Sequence, residues 1–128
     1  YDIAIDRRIN CANYYSKYLA KLEKRGLLRL PKVMKDRASV WAQYSILVKS
    51  KEVRDNLVQY LKDNNVNVAI FYPAPLHTQK CFKYLGYKKG DLPVTERVCD
   101  HVFNVPCYAE LTEDEQMYII NIIYMFFD

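Results

Sequence analysis

Between Ala4 and Arg25 the apolar positions Ile5, Ile9, Ala12, Tyr15, Leu19 and Leu22 recur every three or four residues, which predicts one buried face of a long helix. Gly26 supplies its stop. From residue 27 to 39 no period is sustained, and the segment, with Pro31 and several Lys and Arg residues, reads as an exposed connector with at most an edge strand. Residues 41–48, WAQYSILV, form a β-branched and aromatic run of strand length. Ser50 follows as a helix N-cap with Glu52 in the first turn. Val53, Leu57, Tyr60 and Leu61 then mark one face of a helix that ends near Asn64 and Asn65. Residues 66–71 place Val66, Val68 and Ile70 on one side of a second strand, which the prolines of Tyr72-Pro73-Ala74-Pro75 must end.

Beyond the prolines the pattern predicts a short helix around residues 78–85, a turn at 86–90, and a helix from about Pro93 with Val94, Val98 and Val102 as its apolar stripe. Residues 103–105 suit a short strand ended by Pro106. Thr112-Glu113-Asp114-Glu115 is a capping box with acidic residues at the positive end of the helix dipole, and the last helix runs from it to Phe127. From Met117 to Phe127 only Asn121 is polar, so this helix is either a central core helix or one whose uncovered remainder meets a partner. The element order implies an α+β fold: a small, mostly antiparallel sheet of three to four strands with helices mainly on one face, and long N- and C-terminal helices. A single domain is expected over residues 1–128, with a long helix at 1–26, a connector at 27–40 and the α+β core at 41–128.

Composition narrows the classes. With 128 residues, 51% hydrophobic and 14% aromatic, the chain can fill a core and is not a disordered or collagen-like polymer. No stretch reaches the length of a membrane span and no signal sequence opens the chain, so a soluble, cytoplasmic protein without a membrane partner is expected. Residue 1 is Tyr with the helical pattern already under way, which suggests a piece of something longer. The net charge of +4 is lopsided: residues 1–40 carry +6 and residues 41–128 carry −2. A basic, tyrosine-containing helix could bind nucleic acid, but its charges lie on the polar face that a solvated helix needs anyway, and no nucleic-acid partner is expected. Cys11, Cys81, Cys99 and Cys107 are irregularly spaced and read as reduced thiols. A zinc site from Cys99, His101 and Cys107 would still need a fourth ligand, so no metal is expected.

Little points to self-contained catalysis. His77 and His101 are the only side chains with an unperturbed pKa near neutrality, and neither lies in a nucleophile motif. Three glycines leave no phosphate-cradling loop. His77 follows Pro-Ala-Pro-Leu at a strand end, where binding groups collect. It either caps a neighbouring carbonyl or presents its imidazole to an anionic or hydroxylated ligand. His101, beside Asp100 in a helix, reads as structural.

Residues 71–111, FYPAPLHTQKCFKYLGYKKGDLPVTERVCDHVFNVPCYAEL, followed by TEDEQ, resemble the C-terminal part of the DegT/DnrJ family of sugar aminotransferases. The matching pieces are a Y-P-x-P-L-H loop at residues 72–77, an L-G-Y turn at 85–87, a G-x-x-P-x-[ST]-E-R helix start at 90–97, an L-P-x-x-P-x-L segment at 105–111 and a T-x-x-E-[QV] helix start at 112–116. Val105 and Ala109 depart mildly from the pattern, and the strand at 41–48 and first helix extend the resemblance over nearly the whole chain.

The resemblance implies a fold-type I, pyridoxal-phosphate-dependent transaminase that moves an amino group from glutamate to a nucleotide-linked keto sugar, as in polysaccharide biosynthesis. It implies a homodimer whose Schiff-base lysine and cofactor-binding residues lie in an N-terminal catalytic domain missing from these residues. No catalytic, cofactor-binding or metal residue is therefore expected in this chain, which alone is expected to be inactive. His77 and Tyr72 match the family's loop and are the expected substrate contacts, with Pro73 and Pro75 shaping the loop. Glu96 and Arg97 read as an orienting pair within the fold. The alternative is a stand-alone nucleotide- or protein-binding module derived from that domain.

Overall fold

A computed structural model describes residues 2–128. Its elements are α1 (Asp2–Lys24), β1 (Leu28–Arg29), β2 (Tyr44–Val48), α2 (Lys51–Asp63), α3 (Pro93–His101), β3 (Val102–Val105) and α4 (Glu113–Phe127). The fold is α+β, with one antiparallel sheet in the order β1-β2-β3. Period-two alternation sets its faces: Tyr44, Ile46 and Val48 of β2 are buried, while Ser45 and Leu47 are only half-buried on the other side. Tyr15 of α1 lies against Tyr44 with ring centroids 5.2 Å apart, and Ser16 Oγ meets the Tyr44 hydroxyl at 2.8 Å.

α4 sits between α1 and α2, which explains its composition. Ile119, Ile120, Ile122 and Ile123 are buried, whereas Tyr118, Asn121 and Met125 form one exposed edge. The helix thus has both a core face and an uncovered edge that holds the apolar side chains of Tyr118 and Met125. Its polar groups fasten the neighbours: Gln116 Nε2 donates to Cys11 O at 3.0 Å, the Tyr124 hydroxyl to Tyr18 O at 2.8 Å and the Tyr118 hydroxyl to Asn64 O at 3.0 Å. The predicted caps form: Ser50 Oγ accepts from Val53 N–H, and Thr112 and Glu115 close a capping box.

Four local expectations are corrected. The strand predicted at 41–48 begins only at Tyr44, because Trp41 has φ of +50° and the partner strand stops at Val105, before a proline that lacks an N–H. Residues 66–71 bury Val66 and Val68 as expected, but form no ladder beyond one bridge between Ala69 and Asn104. The helix expected around 78–85 is two 3₁₀ turns, Leu76–Thr78 and Lys80–Leu85, separated by Gln79 with extended dihedrals. The stripe expected on α3 is not a core stripe: Val94 and Val98 are exposed, Val102 belongs to β3, and the buried residue of the helix is Cys99.

Candidate functional site

Asn104 fixes where the loop after residue 70 begins. It is buried in the middle of β3, its backbone forms both bonds of the Ala69 bridge, and its Oδ1 accepts from Phe71 N–H at 3.2 Å while Nδ2 donates to Ser45 Oγ at 2.6 Å. The chain therefore leaves the sheet edge at a defined point and enters the Pro73 and Pro75 segment, whose fixed φ and missing donors keep it off the sheet. Pro75 has φ −63° and ψ 145°, and Leu76 to Thr78 turn directly after it.

That turn carries His77 inward. The ring is 7% exposed, and Nε2 lies 2.9 Å from Glu96 Oε1 on the first turns of α3. The same carboxylate oxygen accepts from Gly90 N–H at 2.7 Å. These two hydrogen bonds, His77 first and Gly90 second, hold the Glu96 pKa below the ordinary carboxylate value. An ionised carboxylate has no proton to give, so His77 Nε2 must carry the hydrogen. His77 Nδ1 is left as the one buried side-chain nitrogen or oxygen without a partner among the described residues. The Tyr87 ring stands edge-on to the imidazole, with centroids 6.3 Å apart. Of the two sequence readings of His77, the carbonyl cap is not what forms, since its partner is a carboxylate.

Tyr72 takes no part in the hydrogen bonds of this clamp. Its ring is 66% exposed and neighbours Phe71. Glu96 and Arg97 do not pair with each other: Glu96 turns to the loop and Arg97 to a groove of about 820 Å³ on the open face of the sheet, floored in part by Leu47 and bordered by Phe71, Val94 and Val98. The apolar stripe that the sequence places on this helix therefore borders an open groove at Val94 and Val98.

Cys99, His101 and Cys107 are not brought together. Cys99 is buried in α3 and His101 borders the groove, whereas Cys107 donates its thiol proton to Trp41 O at 3.7 Å, beside α1. No cluster of three or more His, Cys, Asp or Glu side chains suited to a metal occurs among the described residues. All twelve lysines are exposed. A lysine forming a Schiff base needs an enclosed pocket with a carboxylate at the cofactor's ring nitrogen, and no lysine among the described residues is enclosed. No helix is long and apolar enough to cross a membrane among the described residues.

A model of the DegT/DnrJ/EryC1/StrS aminotransferase family matches residues 1–124. A pleiotropic regulatory protein of Geobacillus stearothermophilus is 36% identical over 101 residues, covering 79% of this chain and 26% of that protein. The dTDP-3-amino-3,4,6-trideoxy-alpha-D-glucose transaminase of Micromonospora megalomicea subsp. nigra is 33% identical over 123 residues, 95% of this chain and 32% of the relative. The crystal structure of a DegT DnrJ EryC1 StrS aminotransferase from Brucella abortus superposes with a TM-score of 0.81 at 30% identity, over 96% of this chain and 31% of that one. The chain thus spans about a quarter to a third of the length of these relatives.

Proposed function

The chain belongs to the DegT/DnrJ/EryC1/StrS aminotransferase family, and from that premise we propose that it is the C-terminal small domain of a pyridoxal-phosphate-dependent aminotransferase. The parent enzyme transfers an amino group from glutamate to a nucleotide-linked keto sugar in the cytoplasm, as a homodimer. A relative of similar sequence over 95% of this chain is named as a transaminase of a dTDP-linked sugar, which supports the substrate class. The cofactor, when bound, supplies the electron sink for amino transfer, and its cradle belongs to a part of the enzyme outside these residues.

This chain's own contribution is to orient the substrate. The observation that carries the reading is the His77–Glu96 clamp: a buried imidazole held by a carboxylate, on a proline-set loop, with one ring nitrogen unspent. Buried polar atoms are nearly always partnered, so an orphan at a loop suits a hydrogen bond completed by a ligand oxygen. Glu96 fixes the tautomer, leaving Nδ1 to accept from a sugar hydroxyl in the neutral ring, or to donate to a phosphate oxygen if the ring is protonated. Exposed Tyr72 offers a second hydroxyl near the mouth of the loop, and Pro73 and Pro75 lower the entropy lost when the loop meets substrate. In the intact enzyme His77→Ala is expected to raise the sugar-nucleotide KM about tenfold, the size of one hydrogen bond lost from a buried site. An unchanged KM would remove His77 from the substrate site.

A further inference from the structure

The groove on the open face of the sheet has a charge pattern that the fold does not require. Arg29 on β1, Lys32 in the connector, Lys49 at the end of β2 and Arg97 on α3 all line it, and no Asp or Glu does. Among the described residues none of the four is in an ion pair, although Arg25, Arg37, Lys51 and Arg54 elsewhere each have a carboxylate. Arg29 and Lys32 share one segment, whereas Lys49 and Arg97 come from two others, so this is not one solvated helix face with its charges spread outward. Unpaired like charges facing a common groove repel unless an anion enters between them. The bed beneath them is apolar, with Leu47 and Val98 against it.

We propose that this groove seats the diphosphate of a phosphate-bearing ligand, gripped by Arg97 and Lys49 with Arg29 and Lys32 closing the charge ring. A diphosphate carries several negative charges and many acceptor oxygens, which match two planar guanidinium forks and two ammonium groups better than a single carboxylate does. The volume is within the ordinary range for a small-molecule site. The seat follows from charge and shape alone. Its assignment to the nucleotide-linked sugar rests on the aminotransferase reading, and puts the diphosphate near the start of the His77 loop, because Phe71 lines the same groove.

The test is titration of the ¹⁵N-labelled chain with inorganic pyrophosphate, with a nucleoside diphosphate and with the unphosphorylated nucleoside. Pyrophosphate and the nucleoside diphosphate are expected to shift the amides of Leu47, Val98 and His101 saturably, and the nucleoside alone is not. Arg97→Ala combined with Lys49→Ala is expected to weaken pyrophosphate binding at least about tenfold, with an unchanged unfolding midpoint because both side chains are exposed. Absence of shifts at millimolar pyrophosphate, or shifts that survive the double substitution, would overturn the seat. Equal shifts by sulfate would reduce it to an adventitious ion only, and also overturn it. Pyrophosphate binding in a protein whose full-length form transfers no amino group would refute the aminotransferase reading and leave the seat standing. Amino transfer without groove binding would do the reverse.

Discussion

Asn104→Ala is the perturbation that most directly probes how the sheet presents the loop. The substitution keeps the backbone bridge to Ala69 but removes both side-chain bonds, leaving Phe71 N–H and the Ser45 hydroxyl without their partner. Each bond contributes about 1 kcal/mol net, and truncating a buried side chain adds a smaller packing loss, so the cost is about 2–3 kcal/mol. With unfolding entropy of roughly 2.1 cal/mol/K per residue, that lowers Tm by about 7–11 °C for a chain of this length. Differential scanning calorimetry reads the shift. Ser45→Ala alone removes one bond and is expected to cost about 1 kcal/mol, and the double-mutant cycle to show coupling of about 1 kcal/mol. Amide exchange at residues 69–72 should accelerate in Asn104→Ala beyond the global effect, because the loop's anchor is lost. A loss under 0.5 kcal/mol, or additive single substitutions, would refute the view that Asn104 sets the start of the loop.

Other consequences are as concrete. Arg54 is buried, and its Nη1 donates to Cys99 O at 3.0 Å and Val102 O at 3.1 Å, satisfying carbonyls where α3 passes into β3. Arg54→Met should cost about 3 kcal/mol in urea unfolding, since two buried carbonyls lose their donor, and an unchanged midpoint would show that water replaces the guanidinium. The pKa of Glu96 is lowered in the folded chain, so its contribution to holding the loop is fully present above the unfolded carboxylate pKa of about 4.3 and is lost as pH falls through the lower folded value. The His77 ring signals and Gly90 exchange should report that loss in acid, and the same profile in Glu96→Gln would exclude Glu96 as its source.

The sequence disclosed those features whose causes are local. The stripe of α1, the Ser50 cap and the Thr112–Glu115 box each depend on residues within a turn or two of one another, and each is where the pattern places it. Residues 66–71 show the limit: Val66 and Val68 face inward as alternation requires, but whether an extended segment gains a ladder depends on β3, which has only four residues before Pro106. Val94 and Val98 carry a helical core signature and nevertheless border an open groove, because amphipathic spacing identifies a face without saying what covers it. The loop motif singled out His77, but its neighbour Glu96 lies 19 residues away and was read as a partner of Arg97. The groove cations come from segments separated by up to 68 positions, and only the sheet and α3 bring them to one place.

The most direct measurement follows nitrogen. A coding region extended upstream of Tyr1 would supply the full-length protein, saturated with pyridoxal phosphate and given ¹⁵N-glutamate and nucleotide-linked keto sugars. Mass spectrometry should then find ¹⁵N in an amino-sugar nucleotide, with His77→Ala needing higher substrate concentrations for the same yield. No label in any sugar nucleotide from a folded, cofactor-loaded protein would contradict the assignment of this chain to a sugar aminotransferase.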